Sequence, residues 1–191
     1  MRKTLLTLVM TASVWCVSSP PPAMAQETQR IDITGFEDGR NWSFEGDSIL
    51  ASGVVDRTAT NGVEPVDGDH ALYVTYLNEL NPWNWSSMVF PTEPMDLRGA
   101  TELRMSVYIY PSSIPNPDKG YEITVDLGDN RLGSQTTWTT GQWVELVWSI
   151  DRFTTEEFVA IEEIGGFICP GYTDMSGEIL IDNIYAVKGA A

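Results

Sequence analysis

Apolar and polar residues alternate along nearly every hydrophobic stretch of this 191-residue chain. The alternation recurs in residues 70–76, 101–110, 121–127 and 142–150. Successive side chains of a strand point to opposite faces, whereas a helix requires a period of 3.6, which no long stretch shows. The pattern therefore predicts antiparallel sheets in which one face is buried and the other is polar.

Turn-forming sequences separate these alternating stretches at short intervals. They include "EDG" at 37–39, "DGD" at 67–69, "PNPDKG" at 115–120 and "GDN" at 128–130. About ten strands divided in this way predict a two-layer β-sandwich or a barrel. The one helical candidate is residues 154–163, where Thr154 or Thr155 is a suitable N-cap and glutamates follow in the first turn.

The N-terminal 25 residues have the pattern of a secretory signal. Arg2 and Lys3 precede an apolar run at 5–17, and "AMA" at 23–25 fits a cleavage site after Ala25. The run is shorter than the ~20 residues that span a bilayer. Lipidation at Cys16 is the alternative, which the bulky Trp15 disfavours. We expect a secreted product, extracellular or periplasmic, with residues 26–191 as a single domain.

Acidic residues dominate the chain, which has a formal net charge of −16. Loss of Arg2 and Lys3 with the signal lowers this charge to −18. Nucleic acids and anionic membranes attract basic surfaces, so neither is an expected partner, and no membrane insertion is expected. Cleavage leaves Cys169 as the sole cysteine, and His70 is the sole histidine, so a nucleophile–base pair is not evident. We expect no enzyme activity.

Five motifs are distributed along the chain: "GFEDG" at 35–39, "DGDHALYV" at 67–74, "MDLRGATELRMSVYIYP" at 95–111, "WTTGQWVELVWSIDRF" at 138–153 and "ILIDNIYAV" at 179–187. Together they resemble the carbohydrate-binding modules of the galactose-binding-like jelly-roll superfamily, which are non-catalytic domains of bacterial glycan-degrading enzymes. The resemblance covers residues 31–188. It implies an antiparallel β-sandwich of jelly-roll type, a polysaccharide or oligosaccharide ligand, and a separate glycan-degrading enzyme as partner.

The resemblance also implies a structural calcium ion between loops at one end of the sandwich. Glu37 or Asp38 and Asp182 would supply carboxylates, and a main-chain oxygen near Asp67 to Asp69 would complete the shell. Calcium binds six to eight oxygens, commonly from separated loops. In the alternative interpretation, Asp182 caps backbone amides or pairs with an arginine, because a buried carboxylate without partners is costly.

Carbohydrate binding requires flat apolar rings for stacking and polar groups for hydroxyls. We expect some rings that lie in loops or on the polar parity of strands to stack on the sugar, and neighbouring charged residues to order its hydroxyls. Trp138, which closes a polar run, is a further exposed-ring candidate, whereas Trp42 and Trp148 are expected in the core and Trp143 at a strand edge. The expected ligand-binding residues are Trp83, Trp85, Tyr108, Tyr110, Arg104, Glu122 and Asp126.

Trp83 and Trp85 have the same parity as Ser87 and Val89 if a strand already runs through them. Met88 and Phe90 then take the opposite face, and their apolar character predicts that this is the core side. The tryptophans would accordingly face solvent. Pro82 makes the start of the strand uncertain, so the alternative that both rings belong to the core stays open.

These expectations combine into a secreted, non-catalytic module that binds a polysaccharide by aromatic stacking on one sheet face. A structural or adhesive β-sandwich of the cell envelope without a small ligand is the alternative. An enzyme whose residues follow no familiar pattern is the third hypothesis. The sugar itself is not encoded in the pattern, since ring stacking is common to nearly all pyranoses.

Overall fold

The computed structural model describes residues 28–78, 86–89, 94–153, 158–168 and 174–189, and within them the chain forms eleven strands and no α-helix. No helix among these residues has the length and apolar character needed to cross a membrane. The strands are β1 (Gln29–Thr34), β2 (Phe44–Gly46), β3 (Ile49–Asp56), β4 (His70–Asn78), β5 (Ser86–Val89), β6 (Ala100–Ile109), β7 (Tyr121–Leu127), β8 (Asn130–Thr137), β9 (Trp143–Ser149), β10 (Glu163–Ile168) and β11 (Met175–Lys188).

The strands form two antiparallel sheets. Sheet I has the order β3-β4-β11-β6-β9, and β1 pairs with the second half of β11. Sheet II has the order β2-β5-β10-β7-β8. The all-β sandwich predicted from the alternation is therefore confirmed.

The core lies between the inner faces of the two sheets and follows the predicted parity. Leu103 and Val107 of β6 and Ile123 and Leu127 of β7 are all buried in a single hydrophobic cluster. Trp148 joins this cluster, and so does Trp42, as expected. Each large apolar side chain removed from water contributes about 1.5–3 kcal/mol, so the alternation selects which face of each strand is buried.

No described residue of the helix predicted at 154–163 is α-helical: Phe158 has a 3₁₀ conformation, and residues 154–157 lie outside the description. Ile161 exchanges backbone hydrogen bonds of 2.9 Å with Met95, and Glu163 begins β10. The buried side chains of Phe158, Ile161 and Ile164 explain the difference. Backbone hydrogen bonds to Leu97 and Met95, and the pairing of β10 between β5 and β7, satisfy the backbone while these side chains are buried. From Ile161 onward, tertiary pairing thus overrides the local preference for a helix.

A bulge in β11 adapts this 14-residue strand to two different neighbours. Its first half pairs with β4 and its second half with β1, and the register against β6 shifts between Asp182 and Tyr185. Asn183 occupies the left-handed region with φ of 52°, which asparagine tolerates better than most residues. Its side-chain oxygen accepts a hydrogen bond of 2.7 Å from Arg30 Nη2 of β1. The "IDN" sequence therefore marks the change of partner strand.

The loop between β3 and β4, residues 57–69, lies against the outer face of sheet I, and we call it the cover loop. The hydroxyl of Tyr110 donates to the Thr60 carbonyl at 2.8 Å, and Trp143 Nε1 donates to the Glu64 carbonyl at 2.8 Å. Asp182 accepts hydrogen bonds from two amides of this loop. One end of the outer face of sheet I is thus packed rather than open.

Candidate functional site

The described residues among those predicted to bind sugar fall on opposite sides of the molecule. Arg104, Tyr108 and Tyr110 lie on or directly after β6, on the outer face of sheet I, whereas Glu122 and Asp126 lie on β7, on the outer face of sheet II. The prediction that all these residues serve one sheet face is wrong, because β6 and β7 belong to different sheets. The chain crosses between the two sheets in residues 110–120, and alternation along a strand carries no information about which sheet the strand joins.

Tyr108 and Tyr110 belong to a packed aromatic cluster under the cover loop. Tyr110 is 8% exposed, and its ring lies edge-on to Tyr108 at 5.2 Å between centroids. Tyr108 in turn contacts Trp143 at 5.8 Å. Burial raises the pKa of Tyr110 to about 12. The Tyr110 ring is not accessible to a ligand, contrary to our expectation.

The outer face of sheet II carries a row of residues that crosses all five strands. Glu45 of β2 is in register with Ser87 of β5, which pairs with Gly165 of β10. Gly165 pairs with Asp126 of β7, which pairs with Arg131 of β8. Directly opposed residues in antiparallel strands share a face, so this row crosses the sheet from edge to edge. A parallel row joins Phe167, Thr124 and Ser134.

Polar groups on this face are held by each other in defined positions. Asp126 accepts hydrogen bonds from Nε and Nη2 of Arg131 at 3.0 and 3.2 Å, which raises the pKa of Arg131. The hydroxyls of Thr124 and Ser134 are 2.6 Å apart. Thr124 is 6% exposed, so part of this polar face is sheltered from bulk water. Side chains fixed in this way lose little conformational freedom when a ligand binds.

Glu122 continues the same face toward the end of β7. It is 7% exposed, it is in register with Thr136, and it accepts a hydrogen bond of 3.2 Å from Lys119 Nζ. A carboxylate so far removed from water requires its cationic partner to offset the loss of hydration. Glu122 and Asp126 are therefore brought together on one face, as predicted, although Arg104 is not.

Two aromatic rings accompany these polar groups. Trp138 follows β8 and is 60% exposed, and its ring lies against Gly120, immediately before β7. Phe167 stands in the row with Thr124, and the Arg131 guanidinium lies 5.2 Å from its ring centroid. Phe167 and Arg131 are absent from the predicted set. The alternation of Ile164 and Ile168 with Phe167 was a signal that could have placed Phe167 on an outer face.

Trp83 and Trp85 lie outside the described residues, and their proposed stacking stays a prediction. The backbone register of β5, which follows them in the sequence, agrees with the expectation that position 88 is on the core side of the strand. Met88 pairs with Phe44 and Ile164, both buried, whereas Ser87 pairs with the exposed Glu45.

The four residues predicted to hold calcium make other contacts in the structure. Glu37 Oε1 accepts the amides of Asp69 and His70 at 2.7 and 2.6 Å, and its Oε2 lies 2.8 Å from His70 Nδ1. The hydrogen bond from His70 to Glu37 raises the pKa of His70. Asp38 pairs with Arg40, and Asp69 pairs with Arg57.

Asp182 is fully buried and serves as a cap for backbone amides. Its Oδ2 accepts from Val66 and Asp67 at 2.7 and 2.9 Å, and its Oδ1 accepts from Asn183 at 2.6 Å. Burial raises the pKa of this carboxyl to about 6. Among the described residues no group of three or more His, Cys, Asp or Glu side chains could hold a metal ion. This donor set does not fit a calcium site as it is arranged here, and calcium binding stays a prediction.

Comparison with known proteins identifies related folds but no family. No protein-family model and no curated protein matches the chain. A family 11 carbohydrate-binding module of a cellulosomal cellulase of Clostridium thermocellum is 12% identical with a TM-score of 0.52, over 86% of this chain and 96% of that one. The family 11 module from Clostridium thermocellum in complex with a β-1,3-1,4-mixed-linked tetrasaccharide is 11% identical with a TM-score of 0.51, over 84% of this chain and 96% of that one.

A cyclase from Fischerella sp. TAU also shares the fold. It is 13% identical with a TM-score of 0.51, over 85% of this chain and 99% of that chain. This chain therefore has the β-sandwich fold found in carbohydrate-binding modules. Because the same fold also occurs in a cyclase, function must be argued from the site.

Proposed function

We propose that this chain is a non-catalytic carbohydrate-binding module whose binding surface is the outer face of sheet II. The observation that carries the proposal is the combination, on one face, of an exposed ring at Trp138 with the fixed polar pairs Asp126–Arg131 and Thr124–Ser134. The family 11 module that shares the fold binds an oligosaccharide, which supports the same class of ligand for this chain.

Sugar rings have apolar C–H faces and polar edges, and the two kinds of group on this face suit them. Trp138 and Phe167 offer apolar ring surface for stacking. The guanidinium of Arg131 donates hydrogen bonds, and Asp126 accepts them, so both roles of a hydroxyl can be met. In this proposal Trp83 and Trp85, which precede β5 in the sequence, add further rings to the same face.

The ion pairs favour binding over catalysis. A glycoside hydrolase needs one carboxylic acid that is protonated and a second carboxylate at a defined separation. Asp126 is instead held by two hydrogen bonds from Arg131, and Glu122 by one from Lys119, so both carboxylates are already engaged by cationic side chains. We infer from the signal-like segment before Gln26 that the module acts outside the cytoplasm.

Affinity gel electrophoresis against mixed-linkage β-glucan, xylan, galactomannan and galactan tests the proposal. We expect at least one glycan to retard the protein, and Trp138→Ala and Asp126→Ala each to weaken retardation about tenfold, the equivalent of about 1.4 kcal/mol. Leu50→Ala is the matched control, because Leu50 is 62% exposed but lies on β3 of sheet I.

Retardation by a glycan that both variants leave unchanged would place the binding surface elsewhere. An absence of retardation on every glycan would contradict the proposal and favour a structural or adhesive module.

A further inference from the structure

A pocket of about 340 Å³ opens on the outer face of sheet I, on the side of the molecule opposite to the proposed sugar face. Such a volume lies at the lower end of the range for small-molecule sites. The pocket is formed by β1, the start of β6 and the end of β11. Its lining residues are Thr28, Arg30, Thr101, Glu102, Arg104, Tyr185, Val187 and Gly189.

Strand register explains why these side chains meet. Val187 lies between Arg30 of β1 and Glu102 of β6, and Tyr185 lies between Asp32 and Arg104. The base of the pocket is thus Tyr185 and Val187 on β11, and its walls are charged side chains from the two flanking strands. The bulge at Asn183 creates this geometry, because it allows β1 to pair beside the second half of β11.

An ion-pair network holds the arginines and Tyr185 in place. Arg104 donates to Glu102 Oε2 at 2.7 and 2.9 Å and to Glu145 Oε2 at 3.0 Å. The Tyr185 hydroxyl donates to Glu145 Oε1 at 2.6 Å, and the Arg30 guanidinium lies 4.0 Å from the Tyr185 ring centroid.

Hydrogen-bonding capacity remains after these contacts. Arg30 donates from Nε to Asp32 and from Nη2 to Asn183, and its other N–H groups make no hydrogen bond to the described part of the chain. Arginine donors and carboxylate acceptors therefore alternate around the pocket.

The charges near the pocket come close to balancing, since Arg30 and Arg104 face Asp32, Glu102 and Glu145. A carboxylate or phosphate ligand would meet these acidic neighbours within a chain of net charge −16. A neutral ligand with many hydroxyls can use both the donors and the acceptors, and the arginine–tyrosine stack offers a flat side.

We propose that this pocket is a second carbohydrate site, sized for one sugar residue, so that a single chain holds two glycan segments on opposite faces. The inference rests on the proposed function, because the ligand belongs to the same chemical class. A module with two opposed sites links separate polysaccharide chains, which a module with one site does not.

The first test observes the arginine side chains directly. In a ¹⁵N-labelled protein, titration with cellotetraose and with mannotetraose should shift the Nε–H signals of Arg30 and Arg104, assigned with Arg30→Gln and Arg104→Gln. Arg57 is the internal control, because it is an exposed arginine that pairs with Asp69 on the cover loop. Shifts at Arg131 without shifts at Arg30 and Arg104 would overturn the second site and leave the first intact.

The second test removes the sites in turn, with gel retardation on the glycan that retains the wild-type protein. A Trp138→Ala, Asp126→Ala double variant should keep a weaker residual retardation, and addition of Arg30→Gln should abolish it, whereas addition of Arg57→Gln should not. Arg30 is preferred here because its side chain is 43% exposed, so its substitution disturbs the fold little. An unchanged melting temperature confirms that each variant is folded.

The outcomes separate the two proposals. Complete loss in the double variant overturns the second site alone. Retardation that depends on Arg30 but not on Trp138 and Asp126 overturns the sheet II face and supports the pocket. No retardation of the wild type overturns both.

Discussion

At position 120 a side chain of any size would collide with the end of β8 and with Trp138. A Cβ on Gly120 would lie 2.7 Å from the Thr137 carbonyl oxygen and 2.9 Å from Trp138 Cδ2, and the φ angle is +80°. Gly120→Ala is therefore expected to strain the backbone by about 1–2 kcal/mol and also to displace the ring. The melting temperature and the glycan retardation should both fall.

Gly62→Ala is the matched control for this residue. Its φ angle is +85°, but no atom lies within 4 Å of the added Cβ. It should show the backbone strain without any loss of glycan retardation. Equal retardation in the two variants would show that the ring of Trp138 is not part of the binding surface.

Unlike Trp138, Tyr110 has a ring that contributes to stability and not to binding. Tyr110→Phe removes the hydrogen bond to the Thr60 carbonyl and should lower the free energy of unfolding by about 1 kcal/mol. Glycan retardation should not change, because the ring is buried on the other face. A weaker retardation would contradict the assignment of the site to sheet II.

The pH dependence of Tyr110 has a definite sign. Its pKa in the folded protein is about 12, above the ordinary value of 10, so the folded state holds the proton more tightly. The stability that this group contributes is complete below pH 10 and is lost as the pH rises toward 12. Compared with Tyr110→Phe, the wild type should lose more stability between these two pH values in urea unfolding. Parallel curves would contradict burial of the hydroxyl.

Among the elements, the loops at the Asp182 end decide the calcium prediction. The loop between β1 and β2 (residues 35–43), the cover loop and β11 meet there through the hydrogen bonds of Glu37 and Asp182 to backbone amides. Calcium binding to these carboxylates would raise the melting temperature, since a ligand of the folded state stabilises it by mass action. Thermal unfolding with calcium chloride and with EGTA measures this shift. Coincident curves would contradict the prediction.

At the scale of the whole molecule, the net charge of −16 acts on stability rather than on recognition of a neutral sugar. Added salt screens repulsion among the carboxylates and should raise the melting temperature. Glycan affinity should stay nearly constant over the same salt range, because no ion pair forms with the ligand. A strong fall in affinity with salt would indicate an anionic ligand and contradict both proposed sites.

The alternation along each strand was enough to predict the sandwich and most of its core. Leu103, Met105, Val107 and Ile109 are buried because a strand places every second residue on the same face, and the cost of exposing them selects that face. The α-helix expected at 154–163 is wrong from Ile161 onward, where long-range pairing with Met95 and the start of β10 replace it. Local patterns thus predict the inner and outer sides of a strand well.

Tertiary structure alone decided which outer faces are continuous surfaces. Arg104 and Asp126 both have outward parity, yet they lie on opposite sides of the core because β6 and β7 join different sheets. Phe167 and Arg131 are neighbours of Asp126 because β10 and β8 flank β7 in sheet II. Parity is a property of consecutive residues, whereas sheet membership depends on hydrogen bonds between strands distant in sequence. For that reason the sequence determined which residues face outward, and only the fold determined which of them form a site.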